Sequence, residues 1–581
     1  MGYVSGCAVY ENGKIIYAVS EERFNNRKGE SGFPYRCIES AIQTCKITNE
    51  KIEKIVMCGL TLPPEELLCD MGAYSIEDYL NEQKLFWFPK LIEGKEIELF
   101  DVDYFREKAK QSNEKELYDR IKGSTDKKEI FKQWKVEKIA ELFSVSEDKI
   151  CFVNHEFAHA AYALYGSGKK ENPLIIVYDG YGDESNASIY VYEDSCLKQI
   201  GRYTDFNVGR VYRYLTLLLG MKPNEHEYKV MGLAPYANEY IYKKPLEVFR
   251  QAYRFEEAKV ITDPHMKDNY YYFKERLEGA RFDGIAAALQ VFTEEMATKL
   301  TKFWCEKTGK SICLLSGGVA LNIKANMEIG KLDCVDDLFV VGSSGDESLS
   351  IGSIFYYLDQ RQRGDEIEKL ETLYLGDDIE ESQVEKLVAG LDREKYLVED
   401  FQVETAARKL AEGLIMGRAD GKMEFGARAL GNRSILADPS KRETIDKINR
   451  KVKNRDFWMP FTPSILAEDE DKYLVNEKDF EFPFMAVACE TTRAGKEELK
   501  AAIHPADSTA RPQLVTKEMN EKYYELLKEF KKLTGIGALL NTSLNIHGYP
   551  IARTAEDAFF VLENSDLDGL IFDNYIITRK R

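Results

Sequence analysis

Residues 154–184, NHEFAHAAYALYGSGKKENPLIIVYDGYGDE, constrain this chain more than any other stretch. They dictate a helix, a turn, a strand and a glycine loop, in that order. Asn154 is a natural N-cap, and Ala158, Ala160, Ala161, Ala163 and Leu164 are strong helix formers. Gly166 and Gly168 end the helix. Residues 174–178, LIIVY, are continuously apolar, as in a strand covered on both faces. Asp179 closes that strand, and the chain turns at once through Gly180 and Gly182.

The spacing carries chemistry. His155 and His159 are four apart, so both imidazoles project from one helical face, and the whole chain has only 6 histidines. Asp179 stands at the carboxyl end of a buried strand, where open α/β sheets place ligand groups. Two histidines and a carboxylate suit Fe(II), Zn(II) or Mn(II) with positions left open for substrate. A pair of histidines satisfied by local hydrogen bonds is the bland alternative. A second sharp reading is H-E-x-x-H, a zinc peptidase helix with Glu156 as general base. That motif needs a third ligand on a later helix, and here a strand and an Asp-Gly turn follow instead.

At 581 residues the chain should hold more than one domain. Its 44% hydrophobic content supports full cores, and a net charge of −19 argues against a general nucleic-acid binder. No signal peptide or membrane-length apolar run is visible. The 11 cysteines form no CxxC pair, which fits reduced thiols in a cytoplasm.

Residues 5–19 alternate around Asn12-Gly13, a β-hairpin signal, and residues 37–58 read as a helix and then a short strand. Residues 63–149 are charged and helical with aromatic patches, and read as a helical insertion. A strand is expected at 187–192, a helix over 208–220 with Lys229 in the loop beyond, and a long helix over 283–307. Residues 312–315 then form a strand running into Ser316-Gly317-Gly318-Val319-Ala320-Leu321-Asn322, a strand–glycine–helix junction that offers backbone N–H groups to an anion. Residues 338–347 repeat the strand-to-acidic-loop pattern, which makes Asp346 a candidate fourth metal ligand.

Residues 358–380 are charged and lack apolar periodicity, as a domain boundary does. Beyond them α+β alternation runs to the end. The stretch 424–434 holds Arg428 and Arg433 among glycines, which suits bidentate oxyanion binding. Lys453 and Arg455 follow, then His504 and Arg511, and last Asn541, Ser543 and Asn545 at the end of a strand. Basic clusters at element ends point to phosphate chemistry.

Together the motifs SEERF, NHEFAHAAYA, YKVMGLAPY, SGGVALN, EFGARALGNRSILADP, MPFTPSIL, RPQLV and LLNTSLN resemble the ATP-dependent O-carbamoyltransferases of the NodU and CmcH type over nearly the whole chain. The resemblance implies an α/β unit of the actin/sugar-kinase, TsaD-like fold over 1–360, carrying the insertion, and an α+β YrdC-like unit over 381–581. His155, His159, Asp179 and Asp346 would hold one divalent metal, iron first, with manganese or zinc as alternatives. Gly180, Gly182, Lys229, Gly317, Gly318 and Asn322 would line the nucleotide. In the second unit Lys453-x-Arg455 with Ser543-x-Asn545, joined by Arg428, Arg433, His504, Arg511 and Asn541, would turn carbamoyl phosphate and ATP, with Mg2+, into carbamoyl adenylate. His155, His159, Lys453, Arg455 and Arg511 would act in catalysis. The first unit would then pass the carbamoyl group to an alcohol of unspecified identity. A homodimer is among the expected partners; a nucleic acid and a membrane are not.

The chain departs from the family at its start: Tyr3 and Val4 stand where the family has His and Asp, and the first family strand is missing. Ala427, Asp420 and Tyr549 replace a usual Pro, Gln and Glu. Two other functions compete with the transferase. A peptidase would depend on Glu156; a regulator of the same fold would bind nucleotide without turnover.

Overall fold

A computed structural model describes residues 4–61, 63–449 and 456–580. The first region is built around a five-stranded sheet. Its centre is Leu174–Tyr178, flanked on one side by Ile312–Ser316 and Asp337–Val340 and on the other by Ala187–Glu193 and Cys196–Tyr203. The first three of these strands run parallel, and the last two fold back as an antiparallel meander. Every residue of the central strand is buried, as its unbroken apolar run requires. Each such side chain contributes about 1.5–3 kcal/mol by leaving water. Cys196–Tyr203 has no counterpart in the sequence reading, because half-buried Lys198 and exposed Gln199 break its apolar pattern.

The hairpin forms as expected from Gly6–Glu11 and Lys14–Ser20. Asn12 and Gly13 turn it with φ of 48° and 93°, the left-handed conformations that an Asn-Gly turn supplies. Ile55–Cys58 and Ile150–Val153 pair in parallel, and the long excursion between them holds helices and no strand among its described residues. The helices Pro64–Leu68, Ile76–Glu82, Asp103–Gln111, Lys115–Ile121 and Lys127–Phe143 bury Leu67, Leu68, Phe105, Leu117, Phe131 and Trp134.

The second region is one eight-stranded sheet. In spatial order its strands are Tyr396–Asp400, Tyr575–Arg579, Gly569–Ile571, Met416–Ala419, Arg433–Ala437, Ala538–Ser543, Thr462–Leu466 and Gln513–Val515. The segment between the two sheets is threaded tightly rather than loosely. Leu370 N donates to Gly166 O, Ala18 N donates to Leu375 O, and Ile367, Leu370, Leu373 and Leu375 are buried. The charged residues that suggested a boundary lie on the outside of this segment, among them exposed Glu368, Lys369 and Glu371.

The helix His155–Ser167 packs along the helix Leu349–Asp359. Gly352 makes the close approach: a Cβ there would lie 2.1 Å from Ala158 O. The Gly352→Val variant must push the helices apart, and overpacking of this kind costs about 1–3 kcal/mol. Chemical denaturation should show a loss in that range, and an unchanged midpoint would mean that the two helices are not locked together.

Candidate metal centre

The local sequence sets the histidine helix. Asn154 Oδ1 accepts from Phe157 N at 3.1 Å, and Gly168 closes the far end with φ of 70°. Asp183, from the loop after the central strand, accepts from His155 N at 2.8 Å. Its carboxylate therefore sits on the positive end of the helix. Its other oxygen accepts from Leu60 N and Thr61 N, both at 2.7 Å, so the insertion starts from the same point.

Four side chains converge beside this helix end. His155 Nε2 lies 2.8 Å from Asp179 Oδ2 and 3.7 Å from Asp346 Oδ1. His159 Nε2 lies 3.7 Å and 3.5 Å from the same two oxygens. One ligand atom from each residue falls within 4.8 Å of the others. The supports are specific. Asp179 Oδ1 accepts from Gly180 N at 2.8 Å and Gly318 N at 3.2 Å, which leaves Oδ2 facing the rings. Ser316 Oγ and Ser348 Oγ both lie 3.4 Å from His159 Nδ1 and fix the ring orientation, as the outer shell of metal sites does.

This donor set fits a divalent cation. His159 is fully buried, yet its Nε2 has no hydrogen-bond partner in the structure. A buried polar atom left so is costly unless something binds it. Burial works against a charged imidazole at His155. The hydrogen bond with Asp179 and the charges of Asp346 and Asp179 outweigh it, and its pKa stands well above the usual 6.5. Burial likewise opposes ionisation of Asp179, but His155, the charge of His159 and Gly180 N hold its carboxyl well below the usual range. His155 is therefore held towards its protonated form by the carboxylates around it.

Glu156 takes no part in this cluster. Its Oε1 accepts from Glu184 N and Ser185 N, both at 2.7 Å, and it is buried against the loop. The peptidase reading needs that carboxylate free beside the metal.

The glycine junctions play a different part from the one expected. Gly317 N donates to Ser344 O, Gly318 N to Asp179, and Gly182 N to Ser185 O. These N–H groups hold the ligand loops and are not bare donors for an anion. The physical reason is the close approach of strands: a Cβ on Gly317, whose φ is 91°, would lie 2.0 Å from Tyr178 O. Asn322 accepts from Ala325 N as the cap of Ile323–Gly330 and exchanges hydrogen bonds with Gln290. Lys229 is buried and paired with Asp456 at 3.1 Å.

In the second region one edge of the sheet gathers the basic and amide residues. Ser434 pairs with Ser543, Thr462 with Asn541, and Ser464 with Gln513. The starts of three strands and the end of a fourth therefore share that edge. Arg428, Ser543, Asn545 and Arg511 all flank it in sequence. Three candidates have structural duties instead. Arg433 is fully buried and donates to the carbonyls of Asp420, Gly421 and Asn432 at 2.9–3.1 Å, and burial lowers its pKa to about 10. Asn541 Nδ2 donates to Ala429 O and Ser464 Oγ. His504 Nε2 bonds Gly232 O at 2.8 Å across the two regions, and burial lowers its pKa below the usual value. Lys453 and Arg455 lie outside the described residues.

Sequence reasoning missed Asp183, Ser316 and Ser348. Asp183 stood inside the first stretch considered, but a carboxylate that caps a helix from a distant loop leaves no spacing to read.

The carbamoyltransferase N-terminus family matches residues 3–355, and the carbamoyltransferase C-terminus family matches residues 407–579. An uncharacterized protein of Methanocaldococcus jannaschii is 32% identical over 76% of this chain and 76% of its own length. Nodulation protein NolO of Bradyrhizobium diazoefficiens is 32% identical over 74% of this chain and 79% of its own. The 3'-hydroxymethylcephem-O-carbamoyltransferase of Amycolatopsis lactamdurans is 28% identical over 45% of this chain and 47% of its own.

Purified protein should carry one divalent metal per chain, and His159→Ala should carry about a tenth of that or less, by elemental analysis. Equal content in both would remove the centre from these residues. Because cation and protons compete for His155, metal affinity should rise as the pH rises past 6.5, with protons released on binding. A flat affinity across that range would contradict the competition.

Proposed function

The chain belongs to the carbamoyltransferase family, and from that premise we propose that it activates carbamoyl phosphate with ATP and transfers the carbamoyl group to a hydroxyl group of a small molecule. The observation that carries this reading is the pairing, in one chain, of a two-histidine, two-carboxylate centre with a separate basic sheet edge. We assign the metal-bearing region to the actin/sugar-kinase, TsaD-like type and the edge-bearing region to the YrdC-like type. A mixed sheet with parallel strands joined through helices supports the first assignment.

The two halves of the reaction ask for different surroundings. Adenylation brings two polyanions together in a protein of net charge −19, so it needs a local basic site. Arg428 and Arg511 near that edge, with Lys453 and Arg455 from the sequence, would supply the charge; carbamoyl phosphate loses orthophosphate to water, and the carbamate takes the AMP group of ATP, giving carbamoyl adenylate, pyrophosphate and orthophosphate. Transfer asks for a fixed acyl donor and exclusion of water. His155, His159, Asp179 and Asp346 would hold the cation, for which we favour iron over manganese or zinc. A cation bound there supplies Lewis acidity for the carbamoyl carbonyl. Gly180, where an added Cβ would meet no atom within 4 Å, leaves room beside it for the nucleotide. Lys229, Trp458 and His504 tie the two regions together: Trp458 Nε1 donates to Lys229 O at 3.1 Å, and His504 Nε2 bonds Gly232 O at 2.8 Å.

The chain's acidic surface and the absence, among its described residues, of a helix long and apolar enough to cross a membrane agree with a small-molecule acceptor. A screen of hydroxylated metabolites with radiolabelled carbamoyl phosphate would identify it.

The nucleotide product should be AMP and not ADP, formed only when carbamoyl phosphate is present; chromatography showing ADP would make this a kinase-type reaction. The half-reactions should also separate. Removing the Lys453 charge should slow pyrophosphate release roughly a hundredfold or more. His159→Ala should leave pyrophosphate release intact and stop carbamoyl transfer. A folded His159→Ala protein that loses both activities would end the two-site division.

A further inference from the structure

The motif Ser20-Glu21-Glu22-Arg23-Phe24 follows the opening hairpin, and its side chains divide between the two regions. Glu21 and Glu22 serve the first. Glu21 accepts from Arg36 N at 3.1 Å and from Cys37 N at 2.8 Å, in the first turn of the helix Tyr35–Thr44, and Glu22 accepts from Gly29 N at 2.9 Å. Arg23 and Phe24 reach the second. Arg23 Nη2 donates to Gly426 O at 2.5 Å, and its Nη1 donates to Ile551 O at 3.3 Å. The Phe24 ring lies 4.5 Å from the guanidinium of Arg553, which pairs with Asp377 at 3.0 Å.

The two carbonyls on Arg23 belong to the two loops that carry Arg428 and Asn545. Gly426 stands just before Arg428, with φ of 92°, and an added Cβ there would lie 1.9 Å from Ser343 Oγ, in the loop of Asp346. The start of the Arg428 loop is therefore held between Arg23 and Ser343. Ile551 lies in a loop closed on itself: Asn545 Nδ2 donates to Tyr549 O at 2.6 Å, and Ala552 N donates to Leu544 O at 2.9 Å. A guanidinium is a planar fork with fixed donor directions, so one side chain sets the spacing of both loops.

Resting on the adenylation proposed above, we infer that Arg23 is a positioning residue for that step: from the metal-bearing region it holds the Arg428 loop against the Asn545 loop, at the spacing the two anionic substrates require. Arg23 does not itself face a ligand. Its side chain is 2% exposed, and the one carboxylate within 4 Å of it among the described residues is that of Glu22, at 3.8 Å. A buried charge so loosely paired is costly, and its two bonds to carbonyls offset that cost. Gly426 and Ile551 are both buried, so removing the guanidinium takes a donor from two buried carbonyls and frees each loop from the other.

Pyrophosphate release from ATP and carbamoyl phosphate, measured without acceptor, reads the step. Arg23→Met should slow it roughly a hundredfold, as a small misplacement of a reacting group does, with the metal content of wild type as the sign of an intact fold. Arg23→Lys keeps the charge but can reach one carbonyl only, and should slow it roughly tenfold. Arg428→Met should slow it roughly a hundredfold. Because Arg23 acts through Arg428, its loss should add little once Arg428 is gone: the double variant should fall within about threefold of Arg428→Met alone. Losses that multiply in full, or wild-type rates in either Arg23 variant, overturn the positioning role. Where Arg23→Met does not fold, the same cycle run with Arg23→Lys decides by the same criterion. Wild-type protein that releases no pyrophosphate would instead overturn the adenylation reading on which this rests.

Discussion

The two oxygens of Asp179 do different work, and the site depends on that division. Oδ1 is tied to Gly180 N and Gly318 N, so the carboxylate cannot rotate; Oδ2 is left against the two imidazoles. Such a split needs two loops brought within hydrogen-bond reach of one strand end. The sheet achieves it by placing Ile312–Ser316 directly beside Leu174–Tyr178 in parallel register. The apolar run of the central strand therefore fixes the register, the register brings Gly318 to Asp179, and the carboxylate is fixed in turn. The histidine helix completes the set only because Gly352 lets its neighbour approach.

The second region solves a different problem with the same economy of backbone. Its strands carry few charges of their own, but their ends meet on one edge. Residues that lie more than a hundred positions apart, such as Arg428 and Ser543, flank neighbouring strands there. Within a strongly acidic molecule such a gathering creates a local field opposite to that of the whole. Arg433 contributes to this edge without being available to a ligand. With its guanidinium bonded to backbone carbonyls, it fixes the loop that carries Arg428.

Much of this was legible in the residues. The HxxxH spacing, the strand that follows and the repeated strand-to-acid pattern at 338–347 led to His155, His159, Asp179 and Asp346, and the structure brings all four together. The hairpin was legible because Asn-Gly has few other uses. What could not be read is which polar group a given group answers. Gly317, Gly318 and Asn322 look like anion binders in one dimension, but they are committed to neighbours set by the sheet. Arg433 and His504 likewise look like ligands until their carbonyl partners are in place.

The bond from Ala18 N to Leu375 O has a consequence for how the protein is made. The hairpin at the start of the chain leaves the ribosome early, yet the segment that covers its edge is encoded some 357 positions later, from 18 to 375. At the usual ~5–20 residues per second of synthesis, the nascent hairpin waits roughly 20–70 s with an uncovered β edge. Open edges invite pairing with other strands. Chaperone demand in this molecule should thus be greatest at its first two strands, well before either half of the chemistry has been assembled.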